Sequence, residues 1–337
     1  MPELNRTALD AVASPRPQSA AIIAAIRPHL PGALAAAAID TPLRQAHFLA
    51  QIAHESDGFA TLAEYASGRA YEGRADLGNT RPGDGVRYKG RGLIQLTGRT
   101  NYRRMGRRLG IGLEAEPRRA ADPDIAVRTA CAYWQDRQLN IHADRDDLVA
   151  VTFAVNGGLN GLADRRARLT RVRAAMDRNL DWSPAPRAEL QRGARGPAVA
   201  SLQYALRQAG CDVRIDGDFG PATERALRQF QAQTGLAADG ISGPAVWAAL
   251  LWRPALASAH APGDKPGMPL VKRSLSLAGH RTSLSLEPEF WQEIDRAIAE
   301  DGRSLAGLVA EIDEARGEDP LASSMRVWVL ERLRAGR

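Results

Sequence analysis

The pattern of apolar positions divides the chain into three parts. In the first, Pro42 opens a run in which Ala46, Leu49, Ala50 and Ala53 fall on one helical face. Asp122-Pro-Asp opens another, striped by Ile125, Ala126, Thr129, Ala130 and Tyr133. In the second, Val199, Leu202 and Leu206 mark one helix, while the pairs Leu227/Phe230 and Val246/Leu250 mark two more. Each of the latter follows an Asp-Gly turn with proline at the first helical position: Asp216-Gly-Asp-Phe-Gly-Pro recurs 23 residues later as Asp239-Gly-Ile-Ser-Gly-Pro. In the third, Thr282-Ser-Leu-Ser-Leu286 alternates strictly and predicts a strand. Pro288 then opens a helix through Trp291, Ile294 and Ile298. Ser304 is placed to cap the next, with Leu305, Leu308, Val309 and Ile312, and a last helix starts near Ser323 or Ser324. The prediction is mainly α, ending in a small β-α-α-α unit.

Two proline-bearing stretches separate these parts. Asp181-Trp-Ser-Pro-Ala-Pro-Arg187 and Arg253–Pro269 carry no apolar period and read as spacers, loose or semi-rigid. The expected domains are 1–182, 187–252 and 271–337, with 253–270 as linker. The net charge of +6 is unevenly spread: +6 over 1–182, +2 over 183–270 and −2 over 271–337. A basic front end suits an anionic partner. Cys131 and Cys211 fall in different domains and read as free, buried thiols, so the chain is expected to fold in a reducing cytoplasm. No secretory leader and no membrane span is expected. Ala33–Ile39 is far short of the roughly 20 apolar residues a span needs.

The candidate chemistry lies in the first part. Glu55 ends the first helical run and Glu64 follows past Gly58, an arrangement able to set two carboxyls across a cleft. His54-Glu55 lacks the second histidine of a zinc-protease helix, since position 58 is glycine, so neither metal nor cofactor is expected. Residues 66–92 hold seven glycines, and a long glycine-rich loop inside a helical domain commonly lines a site. Along Tyr88–Tyr102, Gln95, Thr97 and Asn101 offer neutral hydrogen-bonding groups suited to sugars.

Together, His54-Glu55-Ser56, the Gly-Arg-Gly-x-x-Gln-Leu core at 90–96 and Val155-Asn-Gly-Gly158 resemble glycoside hydrolase family 19, the plant-type chitinases and their phage endolysin relatives, over about residues 40–175. The resemblance implies a lysozyme-like helical catalytic domain with Glu55 as general acid and Glu64 as the base that activates water. Glu72, in Tyr71-Glu-Gly-Arg74, is a rival for the second role. Thr97 matches a position that helps hold the water, and Gln95, Asn101 and Asn156 match substrate-binding positions. The family inverts, which implies carboxyls spaced by roughly 6.5–9.5 Å or more.

Leu202-Gln203, Phe230-Gln231 and the two Asp-Gly turns resemble the three-helix peptidoglycan-binding domain over about 190–251. Gly279–Trp291 resembles the ribbon-helix-helix family. There, two chains pair their strands, which implies a homodimer, with Arg281, Ser283 and Ser285 as candidate DNA contacts. The net charge of −2 in this part argues against DNA. The resulting reading is an endolysin-like enzyme that hydrolyses β-1,4 bonds in peptidoglycan strands, made in the cytoplasm and reaching the wall after release. The alternatives are a chitinase, a DNA-binding regulator with passenger front domains, and a wall binder with a dead site.

Overall fold

The computed structural model describes residues 6–176, 179–251, 271–277, 280–286, 288–301, 305–315 and 321–335. It divides into two compact units, Met1–Arg253 and Pro254–Arg337. The first unit runs α1 (Arg6–Asp10), α2 (Pro17–Ile26), α3 (Leu30–Ala36), α4 (Pro42–Glu55), α5 (Asp84–Arg87), α6 (Arg99–Leu109), α7 (Pro123–Asp136), α8 (Leu139–Ala143), α9 (Leu148–Asn156) and α10 (Leu162–Ala175). It ends with α11 (Pro197–Gln208), α12 (Pro221–Gln233) and α13 (Pro244–Leu251).

Helix α4 is the hub. Thr41 Oγ1 accepts the Arg44 amide and Pro42 occupies the first turn, so both start signals act at once. Its apolar residues from Leu43 to Ala53 are buried, and Phe48 meets Trp134 of α7 edge-on at 5.4 Å. Pro17–Ala36 is long and apolar enough to cross a membrane by length and composition. Yet Ile23, Ile26, Leu30 and Leu34 are buried in the same core as α4 and α7. A second, smaller core of Tyr88, Leu96, Tyr102, Met105, Leu113 and Ile125 underlies the glycine-rich stretch. Glu55 therefore rides on the main core, and the 88–102 segment on the lesser one.

Helices α11–α13 enclose their own core, including Leu202, Leu206, Phe219, Phe230 and Trp247. The repeated turns are each held by a buried glutamine. Gln203 donates to Asp216 Oδ1 (2.8 Å) and accepts from Gly217 N (2.8 Å). Gln231 donates to Asp239 Oδ1 (2.7 Å) and accepts from Gly240 N (2.9 Å). The sequence echo is thus a repeated device for satisfying turn amides away from water.

The stretch 181–187 differs from the expected spacer. Ala185 N donates to Asp144 O (2.7 Å), Arg145 Nε donates to Pro186 O (3.1 Å), and Arg173 lies over the Trp182 ring. Next to it, buried Asp147 accepts from Arg187 Nη1 (2.5 Å) and Ser201 Oγ (2.8 Å) while capping α9 through Ala150 N. Arg187 in turn covers the Trp247 ring, and Gly217 abuts Phe153 of α9. The three-helix bundle is docked on α9 rather than tethered to it.

In the second unit, β1 (Val271–Leu277) pairs antiparallel with β2 (His280–Leu286), followed by α14 (Pro288–Asp301), α15 (Leu305–Ala315) and α16 (Leu321–Ala335). The expected β-α-α-α order is corrected to β-β-α-α-α. Ser-Leu-Ser-Leu occurs twice, at 274–277 and 283–286, and these two segments pair as neighbouring strands of one chain. Leu284 and Leu286 pack with Trp291, Ile294, Leu308 and Ile312. Arg281, Ser283 and Ser285 stand opposite Ser276, Ser274 and Lys272, register positions of one face. The side chains of Arg281 and Ser283, the Ser304 cap and the linker 253–270 lie outside the described residues.

Candidate active site

Glu55 is the last residue of α4, with its side chain 24% exposed. Its Oε1 accepts from Arg165 Nη2 at 2.6 Å. Arg165, on α10, is 2% exposed and also bonds Gln51 Oε1, one helical turn before Glu55. One oxygen of Glu55 is therefore pinned by a fixed guanidinium fork, leaving Oε2 for other work. Beside it, His54 Nδ1 meets Asp164 Oδ2 at 2.6 Å, so two successive residues of α4 clasp two successive residues of α10. Tyr133 completes this wall. Its hydroxyl donates to Val155 O (2.8 Å), and burial, together with the neighbouring Glu55 charge, raises its pKa against the opposing pull of Arg137.

After Ser56 the chain turns sharply. Asp57, Gly58 and Phe59 all have positive φ (54°, 67° and 60°). A Cβ on Gly58 would fall 2.5 Å from Ser14 N, so only glycine fits there. For Asp57 and Phe59 the left-handed backbone is uncommon and costly, and such strain concentrates at functional sites. It reverses the chain out of α4 and sends it toward Glu64.

Glu64 sits in an extended segment zipped to the glycine-rich loop. Its amide donates to Gly90 O (2.8 Å), Gly92 N donates to Leu62 O (2.8 Å), and Ala63 bridges Arg91. Its carboxylate accepts from Gly90 N through Oε2 (3.1 Å) and from the Tyr71 hydroxyl through Oε1 (2.9 Å). Burial and the bond to Glu64 both raise the Tyr71 pKa, which keeps the phenol a donor. A Cβ on Gly90 would meet Gln95 Oε1 at 2.8 Å and Glu64 Oε2 and Thr97 Oγ1 at 3.3 Å each. Three of the sequence-predicted side chains thus converge on one bare backbone position.

Thr97 donates its hydroxyl to Gln95 O (2.9 Å), leaving its lone pairs outward, and Asn101 Nδ2 donates to Thr97 O (2.8 Å). Gln95 itself has φ +53°, a second strained backbone at the same place. Asn156 stands apart from this group. It is exposed at the end of α9 and its amide closes the following loop, through Asn160 O and Gly158 N. That loop ends at Gly161, whose Cα abuts the His54 ring, so Asn156 belongs to the Glu55 wall.

Glu72 is otherwise engaged. Its two oxygens accept from Gly83 N (2.6 Å) and Gly85 N (2.8 Å), tying the glycine-rich loop to itself. Sequence reasoning missed Arg165, Gln51, Tyr71 and Tyr133. Tyr71 stood in a motif already noted, but nothing in the arginine-rich run of α10 singled out Arg165. Among the described residues no group of three or more His, Cys, Asp or Glu could hold a metal ion.

A mainly helical enzyme that hydrolyses glycosidic bonds is the class these features define. Residues 15–152 match the family described as chitinase class I, 195–250 a putative peptidoglycan binding domain, and 270–333 a ribbon-helix-helix domain. The chain is 34% identical over 166 residues to a glycosyl hydrolase family 19 domain-containing protein of Haemophilus influenzae, covering 40% of this chain and 80% of that one. It is 33% identical over 132 residues to endochitinase A of Zea mays, covering 37% of this chain and 45% of the maize protein. Chitinase C of Streptomyces griseus aligns in structure at 24% identity with a TM-score of 0.38, over 49% of this chain and 92% of its own. The chain belongs to glycoside hydrolase family 19.

Proposed function

We propose that this chain cleaves β-1,4 bonds in the glycan strands of peptidoglycan by an inverting acid/base mechanism, with Glu55 as acid and Glu64 as base. The observation that carries the reading is the convergence of Glu64, Gln95 and Thr97 on Gly90, with Glu55 held separately by Arg165 on α4. Glu55 protonates the leaving oxygen from Oε2, its other oxygen being fixed by Arg165. A water donating to Thr97 Oγ1 and to Glu64 Oε2 has its remaining lone pairs free to attack the sugar. Tyr71 and Gly90 N orient the Glu64 carboxylate. Glu72 has no part in this, since both its oxygens are used by the loop. Gln95, Asn101 and Asn156 are assigned to holding the sugar.

The attached peptidoglycan-binding domain supports peptidoglycan as the substrate, because it raises the local concentration of wall polymer without altering the cleft. The match to chitinase class I favours a second reading, chitin oligomers. Clearing of a suspension of outer-membrane-stripped bacteria by the wild type, and not by Glu55→Gln, is the expected result. Cleavage of chitin oligomers with the cells left intact would establish the second reading. The route to the wall belongs to the same proposal: synthesis in the cytoplasm and release at lysis. For the tail, pairing of β1 with β2 in one chain favours a ribbon that needs no second copy for its strands. DNA contact through Arg281, Ser283 and Ser285 is tested by a gel shift of the full chain at low salt.

A further inference from the structure

Two adjoining cavities of about 750 and 1230 Å³ share Arg81, Arg87, Arg99 and Ala115 and form one basin on the smaller lobe. Nine basic and three acidic side chains line it. The surplus of six equals the net charge of the whole chain. All three acids are already spent on arginines within the basin: Asp84 on Arg99 (2.5 Å), Glu114 on Arg103 (2.7 Å) and Glu116 on Arg119 (3.5 Å). Arg81, Arg87, Arg107 and Arg118 are exposed and have no carboxylate within ion-pair distance among the described residues. Arg87 is fixed by Ala115 O (2.9 Å), and Arg87 and Arg99 both lie against the Tyr88 ring. Concentrating like charge this way costs self-repulsion, which a bound anion relieves.

The basin is one residue from the reaction centre. Gly90 faces Glu64, Gln95 and Thr97, whereas its neighbours Lys89 and Arg91 line the basin. Chitin is uncharged. Peptidoglycan carries on alternate sugars a peptide stem that ends in free carboxylates. A five-residue stem extends about 17 Å, more than the roughly 14 Å that the four residues 88–91 span when fully drawn out. Eight of the nine cations are arginine, whose planar fork matches carboxylates.

We infer that this basin binds the stem-peptide carboxylates of peptidoglycan, and so selects an anionic glycan over a neutral one. The inference rests on the substrate reading above and adds the residues that would enforce it.

The test compares the full chain with its Arg81→Gln/Arg87→Gln/Arg118→Gln variant on intact sacculi and on glycan strands stripped of stems by an amidase. On intact sacculi at low salt the variant should lose about tenfold in kcat/KM, the order expected for three exposed charge contacts. On stripped strands it should match the wild type. Added salt should slow the wild type on intact sacculi steeply and the variant little. An equal loss on both substrates, or none on sacculi, overturns the inference. Should the triple variant not fold, the wild type alone decides: equal salt dependence on intact and stripped strands overturns it. If the wild type cuts chitin oligomers but neither form of peptidoglycan strand, the substrate reading fails. The basin is then judged by titrating a disaccharide tetrapeptide into both proteins, equal affinities refuting it.

Discussion

Arg165 reaches across 110 positions of the chain to hold Glu55 at 2.6 Å, while its second amino group is taken by Gln51 on the same helix as Glu55. A lysine there can make one of these bonds but not the fork. Arg165→Lys should lower kcat by about two orders of magnitude, the upper range for losing an orienting group, with KM little changed. Glu55→Gln should abolish turnover and leave the melting temperature near wild type. A Lys variant with full kcat would show that Arg165 serves only packing.

Glu64 and Glu72 make a matched pair of experiments. Glu64→Gln should cost on the order of 10²–10⁴ in kcat, as expected for loss of a general base. Glu72→Gln should keep kcat and lose about 1 kcal/mol of stability, because the amide retains one acceptor oxygen for two backbone donors. Proton NMR of the first product should show the α-anomer for an inverting enzyme. A β-anomer would require a different partition of roles between the carboxyls.

Much of this site was legible before folding, and the reason is local. Glu55 ends a helical run opened by Pro42, and the seven glycines of 66–92 mark a loop that lines a site. Arg165 was not legible, because an arginine among the many of α10 reads as solvated until α4 covers it. The segment 181–187 misled for a related reason: prolines describe how stiff a chain is, not whether Asp144 and Arg145 will bind its backbone. In the tail, β1 follows a proline-rich stretch in sequence, and the Ser-Leu-Ser-Leu of 274–277 shows itself as a twin of 283–286 only once the two strands pair.

Acid should loosen the main lobe through Asp146. Burial would raise its carboxyl, but bonds from His47 (2.9 Å) and Arg173 (2.6 Å) more than offset this and bring it from 3.8 to about 2. Because the folded pKa is the lower one, the stabilisation is complete above about pH 4 and disappears as pH falls toward 2, amounting to about 2 kcal/mol. Denaturation of Asp146→Asn should show a deficit of that size near neutrality which narrows below about pH 4 and closes only as pH falls through about 2. A deficit independent of pH would assign the loss to packing instead.

The thiols should be silent. Both cysteines are buried, and burial raises Cys131 to about 12. A thiol reagent near neutral pH should label neither until the chain unfolds. Rapid labelling of Cys131 in the native enzyme would contradict its placement in the core.

Asp147 should decide whether the front unit melts as one body. It is 5% exposed and serves Arg187, Ser201 and the α9 amide together. Asp147→Ala strands a nearly buried guanidinium, a change that costs about 3 kcal/mol. Calorimetry should turn one transition for the wild type into two for the variant. A single, merely shifted transition would mean that the contact between α9 and α11 holds without it.

On the proposed wall polymer, that docking would set how the enzyme works along a strand. A grip swinging on a flexible leash could stay attached while the blade sampled many bonds nearby. With grip and blade cast as one piece, each hold would present a single stretch of strand, and the next incision would require letting go.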